Sequence, residues 1–493
     1  MNPKLIFVAF AAFTLLLFII SFITSRNAKN ETYFIGERKS PWFVVAYGMI
    51  GACLSGVTFI SIPGDVYWSS FSYMVVVFGY ILGYVVIAYV LLPVFYGHHV
   101  TTIYTYLQQR FGNTSYKVGS SFFLVSKLFG AAGRLFLVIF VLQNFIFNQW
   151  NIPFWVTSFF FILLVVLYTF KGGVKTVIWT DTLQTTFMII SLILCFILII
   201  KELNVSFSEM MTQVFNHEYS KMIITDISSP KHYLKQFFGG AFIAMTMTGL
   251  DQDMMQKNLS CKNLKDSQKN VMTLSFILIP VNFLFLVLGI SLYIFAASKG
   301  IEIPVVNGEL KTDLLFPTIM INHLSPVAVI VFLIGLISAA YSSGDGAITA
   351  LTTSFCIDFL GFETTNKNLP AKRKQKIRIL VHFAFAALII FLILIFNKIN
   401  DTSVINTIFI IAGYTYGPLL GLFTLGLFTK VKFKEKLVPV VTLAAPIICY
   451  LLSLKFNFGF TTVIVNGVIT ILGLLLITEK QKPQLIENQI TKQ

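Results

Sequence analysis

Charge is what this sequence has least of. Asp, Glu, Lys and Arg together make 12% of its 493 residues, against about 25% in soluble proteins. Hydrophobic residues make 56%, and 51 residues are phenylalanine. No soluble core of this length could use so much apolar surface, so the chain reads as a polytopic membrane protein. Its apolar segments are too long for the strands of an outer-membrane barrel and lack their period-2 alternation, which leaves helices as the spanning elements. Cysteine is scarce and scattered: Cys53, Cys195, Cys261, Cys356 and Cys449 lie mostly inside apolar segments. No pair has metal-ligand spacing, which argues against a zinc site and a disulfide framework. His98-His99 stands at a helix end without other ligands nearby, so no metal centre is expected there. A nucleophile–base arrangement is missing too, as are a repeated selectivity loop and a polar stripe running through several helices. Enzyme and channel readings both lack their residues. Only about fifteen residues follow the last apolar run at 461–478, so no appended signalling domain is expected.

What charge there is leans positive, to a net +15. The basic residues sit in short loops between apolar runs, where they meet lipid headgroups, so no nucleic-acid partner is expected. The run KNLPAKRKQKIR (367–378) reads as one such solvated loop. Residues 5–25 are apolar for longer than a signal-peptide core and show no small-residue cleavage pattern, so a retained first helix is expected. About thirteen spans can be counted. Twenty-five Lys and Arg fall in loops on one side of them and nine on the other, with Lys127 and Arg134 inside a span. With thirteen crossings, the positive-inside rule puts the N-terminus outside and the C-terminus inside.

Two spans are interrupted at matching places. GACLSGVTFISIPGD (51–65) puts Gly51, Ser55, Gly56, Thr58, Ser61, Pro63 and Gly64 into one apolar run, and GGAFIAMTMTGLDQD (239–253) does the same five spans later. Small residues also serve close helix packing. A corresponding pair of broken segments in two halves, however, points to an inverted-repeat transporter with its site near the bilayer midplane. Broken helices free backbone carbonyls, and carbonyls can coordinate a cation. The halves share no residue-level identity, so the repeat rests on spacing alone.

Six local patterns follow one another: YFIGERKSPWFVVA after the first span, ISIPGDVY in the first broken segment, KGGVKTVIWTDTLQT (171–185), TGLDQDMMQKNLSCKN (248–263), AAYSSGDG (339–346) and YGPLLGLFTLGLF (416–428). Together they resemble the sodium:solute symporter family over about residues 30–430. The resemblance implies an all-α membrane protein with a leucine-transporter-type core of two inverted five-helix repeats, core helices 1 and 6 being broken. The expected organisation is a first helix and cytoplasmic loop (1–40), a first repeat (41–200), an outer loop that reads as a lid (201–234), a second repeat (235–430), two peripheral helices (431–478) and a cytoplasmic tail (479–493). The activity implied is Na⁺-coupled symport of a small organic solute by alternating access across a bacterial inner membrane. Na⁺ is then the coupling ion, no cofactor is expected, and the working unit is a monomer among lipids.

Na⁺ is a hard cation that takes about five or six oxygens from carbonyls, hydroxyls and carboxylates, on the logic of other hard cations. The family's main sodium site joins backbone carbonyls at the break of core helix 1 to an Ala-x-x-Ser-Ser/Thr pattern on core helix 8. Here the resemblance implies Ala339, Ser342 and Ser343 for the pattern and, aligned on Pro63-Gly64, Gly51 and Leu54 for the carbonyls. On a helix, Ser338, Ser342, Asp345, Thr349 and Thr352 form one polar stripe. A carboxylate at bilayer depth costs at least ~2.5–3.5 kcal/mol, so it persists where it faces a cavity, a cation or a partner. Asp181 lies in a Trp-Thr-Asp-x-x-Gln motif near the start of core helix 5. In family members with a second sodium site that aspartate pairs with hydroxyls one turn below the first site, but Asp345-Gly346 replaces those hydroxyls here. Asp181 and Asp345 thus hold a second Na⁺, hold a proton, or form a structural pair with Lys175 or Lys127, and stoichiometry stays open.

Arg134, within KLFGAAGRLFLVIFVLQ, needs an anion or a water-filled cavity. The sialic-acid members of the family carry an arginine on this helix that holds the substrate carboxylate, and Arg134 falls at a matching place; a structural pair with a core aspartate or carbonyl is the alternative. A bidentate guanidinium would select a carboxylate-bearing solute such as a sialic acid. Ser55, Thr58 and Tyr73 are the other candidate solute contacts. Met247 and Thr248 stand where sugar-transporting members have an aromatic gate, which weakens a Na⁺/sugar reading. Asp345 keeps a proton-coupled symporter as the rival. Asp251 and Asp253 are expected at the cytoplasmic end, salt-bridged to nearby lysines.

Overall fold

The computed structural model describes residues 3–306, 308–399 and 404–479. Among the described residues, fifteen helices frame the site: α1 (Pro3–Ser25), α2 (Trp42–Cys53), α3 (Gly56–Ser69), α4 (Tyr73–Val86), α5 (Asn113–Phe145), α6 (Phe154–Thr169), α7 (Val174–Leu203), α8 (Tyr233–Met247), α9 (Gln252–Leu259), α10 (Leu264–Lys299), α11 (Pro326–Ser354), α12 (Ala371–Ile399), α13 (Val404–Phe428), α14 (Val438–Ser453) and α15 (Thr462–Leu476). The strands among the described residues are a two-residue hairpin, Val305–Val306 with Glu309–Leu310. Among the described residues, ten helical stretches are long and apolar enough to cross a membrane, while α2 and α6 are shorter apolar helices. Helix α4 continues through a π-turn (Ile87–Leu91) into Leu92–Gly97. That wider turn sits beside Pro93, which cannot donate to the preceding ladder.

Both sequence interruptions are real breaks. Helix α2 stops at Cys53, Leu54 leaves the helical region at φ −97°, ψ 81°, and Ser55 is extended at φ −69°, ψ 173° before α3 begins. Glycine and serine are weak helix formers, and Gly56 is required by packing: a Cβ there would lie 2.3 Å from Val138 Cγ2. The second break runs from Thr248 to Asp251. Asp251 starts α9 as an N-cap whose carboxylate accepts from the Asp253 and Met254 amides at 2.9 and 3.3 Å.

Around these breaks α7 packs along both α2 and α11, and α8 lies along α4. The α4–α8 crossing depends on small residues. A Cβ on Gly240 would sit 2.2 Å from the Val76 carbonyl oxygen, whereas one on Gly97 meets nothing within 4 Å. Gly240→Ala is therefore expected to lower the thermal midpoint of the detergent-purified protein, by an overpacking penalty of about 1–3 kcal/mol. Gly97→Ala should leave it within error, and equal melting of the two variants would show that the crossing tolerates the methyl group.

The run 367–378 departs from its expected form. Helix α12 starts at Ala371, with the Arg373 and Lys374 amides bonded to the Pro370 carbonyl at 2.9 and 3.0 Å. Most of the basic run therefore forms the first turns of a helix rather than a solvated loop. Arg378 is buried, its guanidinium 4.1 Å from the centroid of the Tyr33 ring. Lys257, another cation assigned to a loop, is also buried at 1% exposure. Removing both still leaves the loop cations strongly biased to one side. The segment 201–234 contains a short helix (Phe207–Asn216) capped by Ser206 and Glu209, and Lys231 donates to the Trp68 carbonyl at the end of α3.

Candidate cation and solute site

The last four carbonyls of a helix have no donor in their own ladder. Here the Leu54 amide closes on Ile50 at 2.9 Å and the next ladder opens with Phe59 to Ser55 at 3.0 Å. The carbonyls of Gly51 through Leu54 fall between them. Helices α7 and α11 meet this gap. The Gly51 amide donates to Thr185 Oγ1 at 3.0 Å, and a Cβ on Gly51 would lie 3.2 Å from Ser342 Oγ. Ser342 donates to Asp181 Oδ1 at 2.7 Å, and Ser343 donates to the Ala339 carbonyl at 3.3 Å. A hydroxyl has one proton and two lone pairs, so donation to a carboxylate leaves the Ser342 lone pairs for a cation.

Below the gap runs a chain of buried charges. Lys257 Nζ of α9 lies 2.9 Å from Asp181 Oδ2 and 3.3 Å from Asp253 Oδ1. Lys127 Nζ of α5 lies 2.8 Å from Asp253 Oδ2 and 3.2 Å from Asp251 Oδ1, and the Tyr416 hydroxyl of α13 donates to the other Asp251 oxygen. None of these charged residues is more than 6% exposed. One expectation is corrected by this: the lysine paired with Asp181 is Lys257, not Lys175 or Lys127. Asp251 and Asp253 do pair with lysines, and those pairs are buried at the α8–α9 break. Asp345 stands apart. Its carboxylate accepts from Tyr168 at 3.0 Å, Thr180 at 3.3 Å and Gln184 at 3.5 Å, and from the Gly346 amide at 2.6 Å, with no ion-pair partner among the described residues.

Beside the first break lies a cavity of about 130 Å³. Leu54, Ser55, Thr58, Tyr73 and Arg134 all line it, together with Lys127, Tyr84, Thr248, Asp251, Asn282 and Tyr416. The Tyr73 hydroxyl lies 3.1 Å from that of Tyr80, and the Tyr84 hydroxyl 3.5 Å from Thr248 Oγ1. Arg134 is half-buried and has no carboxylate within ion-pair distance among the described residues. Ile243, Met247 and Ala412 are shared between this cavity and a wider vestibule of about 820 Å³ lined by Asp65, Trp68, Lys231, Tyr414 and Tyr450.

The opposite end is closed by polar packing. Tyr104 donates to the Leu250 carbonyl at 2.9 Å, and Gln252 bonds both the Thr101 carbonyl and the Ile103 amide, at 2.9 and 3.0 Å. Tyr96 reaches the Asn258 and Cys261 carbonyls at 3.1 Å each, and Arg38 the Val100 carbonyl at 3.0 Å. Apart from the Arg38–Val100 bond, these contacts tie α9 and the residues flanking it to the first half, so the site is reached from the vestibule side.

Sequence reading missed Thr185, Tyr168, Gln184, Tyr416 and Lys257. Gln184 was visible as the last residue of the Trp-Thr-Asp-x-x-Gln motif. Lys257 carried a signal as well, since it follows Asp253 by four residues on a short helix, the spacing of an ion pair.

The profile of the Sodium:solute symporter family matches residues 33–436. The Sodium/sialic acid symporter NanT of Aliivibrio fischeri is 24% identical over 464 residues, 92% of this chain and 89% of that one. The Sodium/sialic acid symporter SiaT of Proteus mirabilis is 23% identical over 434 residues, 86% and 84% of the two chains. Among solved structures, a Na⁺-coupled sialic acid symporter in a substrate-bound outward-open state superposes with a TM-score of 0.82 at 19% identity, covering 96% of this chain and 98% of that one. A nucleobase-cation-symport-1 family transporter in a closed conformation gives 0.55 at 15% identity, covering 91% and 94%. These likenesses show a common fold, the one the six motifs implied.

Proposed function

Because this chain belongs to the sodium:solute symporter family, we propose that it carries a carboxylate-bearing solute of the sialic-acid class into the cell together with Na⁺, across a bacterial inner membrane. It is a multi-pass membrane transporter and not an enzyme, with Na⁺ as its coupling ion. Thirteen crossings, an outer N-terminus and a monomeric working unit complete the proposal.

One observation carries the choice of solute. Lys127 and Lys257 each face two aspartates, whereas Arg134 lines the cavity with no carboxylate partner among the described residues. An unpaired guanidinium in a partly desolvated cavity calls for an anion, and its fork matches a carboxylate. Ser55, Thr58 and Tyr73 would then offer neutral hydroxyls to the remainder of the solute. Na⁺ would sit between the Gly51 and Leu54 carbonyls and the Ala339, Ser342 and Ser343 oxygens, tying the α2–α3 break to α11. Binding there favours the state that opens to the vestibule with a formed solute site, and occupation of both sites lets the broken-helix bundle rock to open the other side.

Ligand-induced thermal shifts on the purified protein test the reading. N-acetylneuraminate is expected to raise the melting temperature in NaCl and to have little effect in choline chloride, and monocarboxylates, amino acids and hexoses are run alongside it. Stabilisation by uncharged hexoses alone would refute the Arg134 assignment.

A further inference from the structure

Asp181 is built to hold a cation, and it already has one. Its carboxylate sits on α7 beside the proposed sodium site, linked to it through Ser342 at 2.7 Å. Its other oxygen faces Lys257 Nζ at 2.9 Å, in a place where the lysine is 1% exposed. The sequence around this position is shaped to admit the ammonium. A Cβ on Gly346 would lie 2.9 Å from Lys257 Nζ and 2.5 Å from Asp253 Oδ1, so any larger residue there would push the lysine out. Asp345, the neighbouring carboxylate, takes its hydrogen bonds from Tyr168, Thr180 and Gln184 instead.

We infer that the Lys257 ammonium is a tethered substitute for a second coupling ion at Asp181, so that each transport cycle moves a single Na⁺. The inference rests on the sodium site proposed above. An ammonium and Na⁺ carry the same charge, but the ammonium is bound to the chain and does not dissociate when the gate opens. For Na⁺ to take its place, the buried Lys257 ammonium would have to give up its 2.9 Å contact with Asp181 and keep Asp253, at 3.3 Å, as its one carboxylate partner among the described residues. With a monocarboxylate solute, one Na⁺ makes the cycle electroneutral.

Equilibrium binding of ²²Na⁺ to the purified full-length protein, without solute, reads the stoichiometry directly. The wild type is expected to bind one Na⁺ per chain with a Hill coefficient near one. Lys257→Met should expose Asp181 and bind two, and the double variant Lys257→Met/Asp181→Asn should return to one. Two Na⁺ per wild-type chain would overturn the inference, as would a Lys257→Met protein that still binds one. No binding by the wild type would instead bring down the sodium site itself. If Lys257→Met does not fold, the wild-type count decides alone. In proteoliposomes, an inside-negative potential is expected to leave the initial rate of N-acetylneuraminate uptake unchanged, and acceleration by that potential would contradict a single Na⁺ per anion.

Discussion

Arg134→Ala is expected to weaken N-acetylneuraminate binding by about 10–150-fold at saturating Na⁺, since a charge-assisted hydrogen bond to the solute is worth about 1.5–3 kcal/mol. Arg134 is half-buried and has no aspartate partner among the described residues, so its removal strands no carboxylate there and the melting temperature of the solute-free protein should hold. Arg134→Lys keeps the charge but loses the fork, and should recover only part of the affinity. Isothermal titration calorimetry separates the cases. A variant that binds as the wild type does, or one that melts many degrees lower before any solute is added, would make Arg134 a structural residue.

Ser342→Ala strikes the cation side. That hydroxyl lies against the Gly51 backbone and donates to Asp181, so the substitution removes one proposed Na⁺ oxygen and one donor to the carboxylate together. The Na⁺ concentration for half-maximal solute stabilisation should rise by about 5–150-fold, because leaving a buried polar group without its partner costs about 1–3 kcal/mol. Ser343, whose hydroxyl is bonded to the Ala339 carbonyl of its own helix at 3.3 Å, shares that proposed site; Ser343→Ala is expected to shift Na⁺ dependence in the same direction. The assay is the Na⁺ titration of the thermal shift at fixed solute. Unchanged Na⁺ dependence in both variants would move the sodium site elsewhere.

How far the sequence could be read depended on whether a feature is local. Both helix breaks were legible, because glycine, serine and proline act on the backbone where they stand: Leu54 and Ser55 leave the helix within the segment that concentrates them. The polar stripe on α11 was legible for the same reason, since 3.6-residue periodicity alone puts Ser338, Ser342, Asp345 and Thr349 on one face. The partners across that face were not. Asp345 finds Tyr168 and Thr180 on α6 and α7, two elements whose approach no local pattern encodes. Lys257 was misplaced because a lysine near a helix end looks alike whether it faces headgroups or turns inward. The four-residue spacing hints at Asp253, but only the fold shows that Asp181 meets it as well and that Gly346 clears its path. Arg378 was misread in the same way: the basic run around it signals a membrane surface, while the Tyr33 ring that receives it is more than three hundred residues away in sequence.

The most direct test of the whole reading is uptake of radiolabelled N-acetylneuraminate into proteoliposomes containing the full chain, with Na⁺ and pH gradients imposed separately. An inward Na⁺ gradient at uniform pH is expected to drive accumulation above equilibrium, and an inward proton gradient without Na⁺ is expected to drive none. Accumulation that persists undiminished when Na⁺ is absent from both sides would contradict Na⁺-coupled symport.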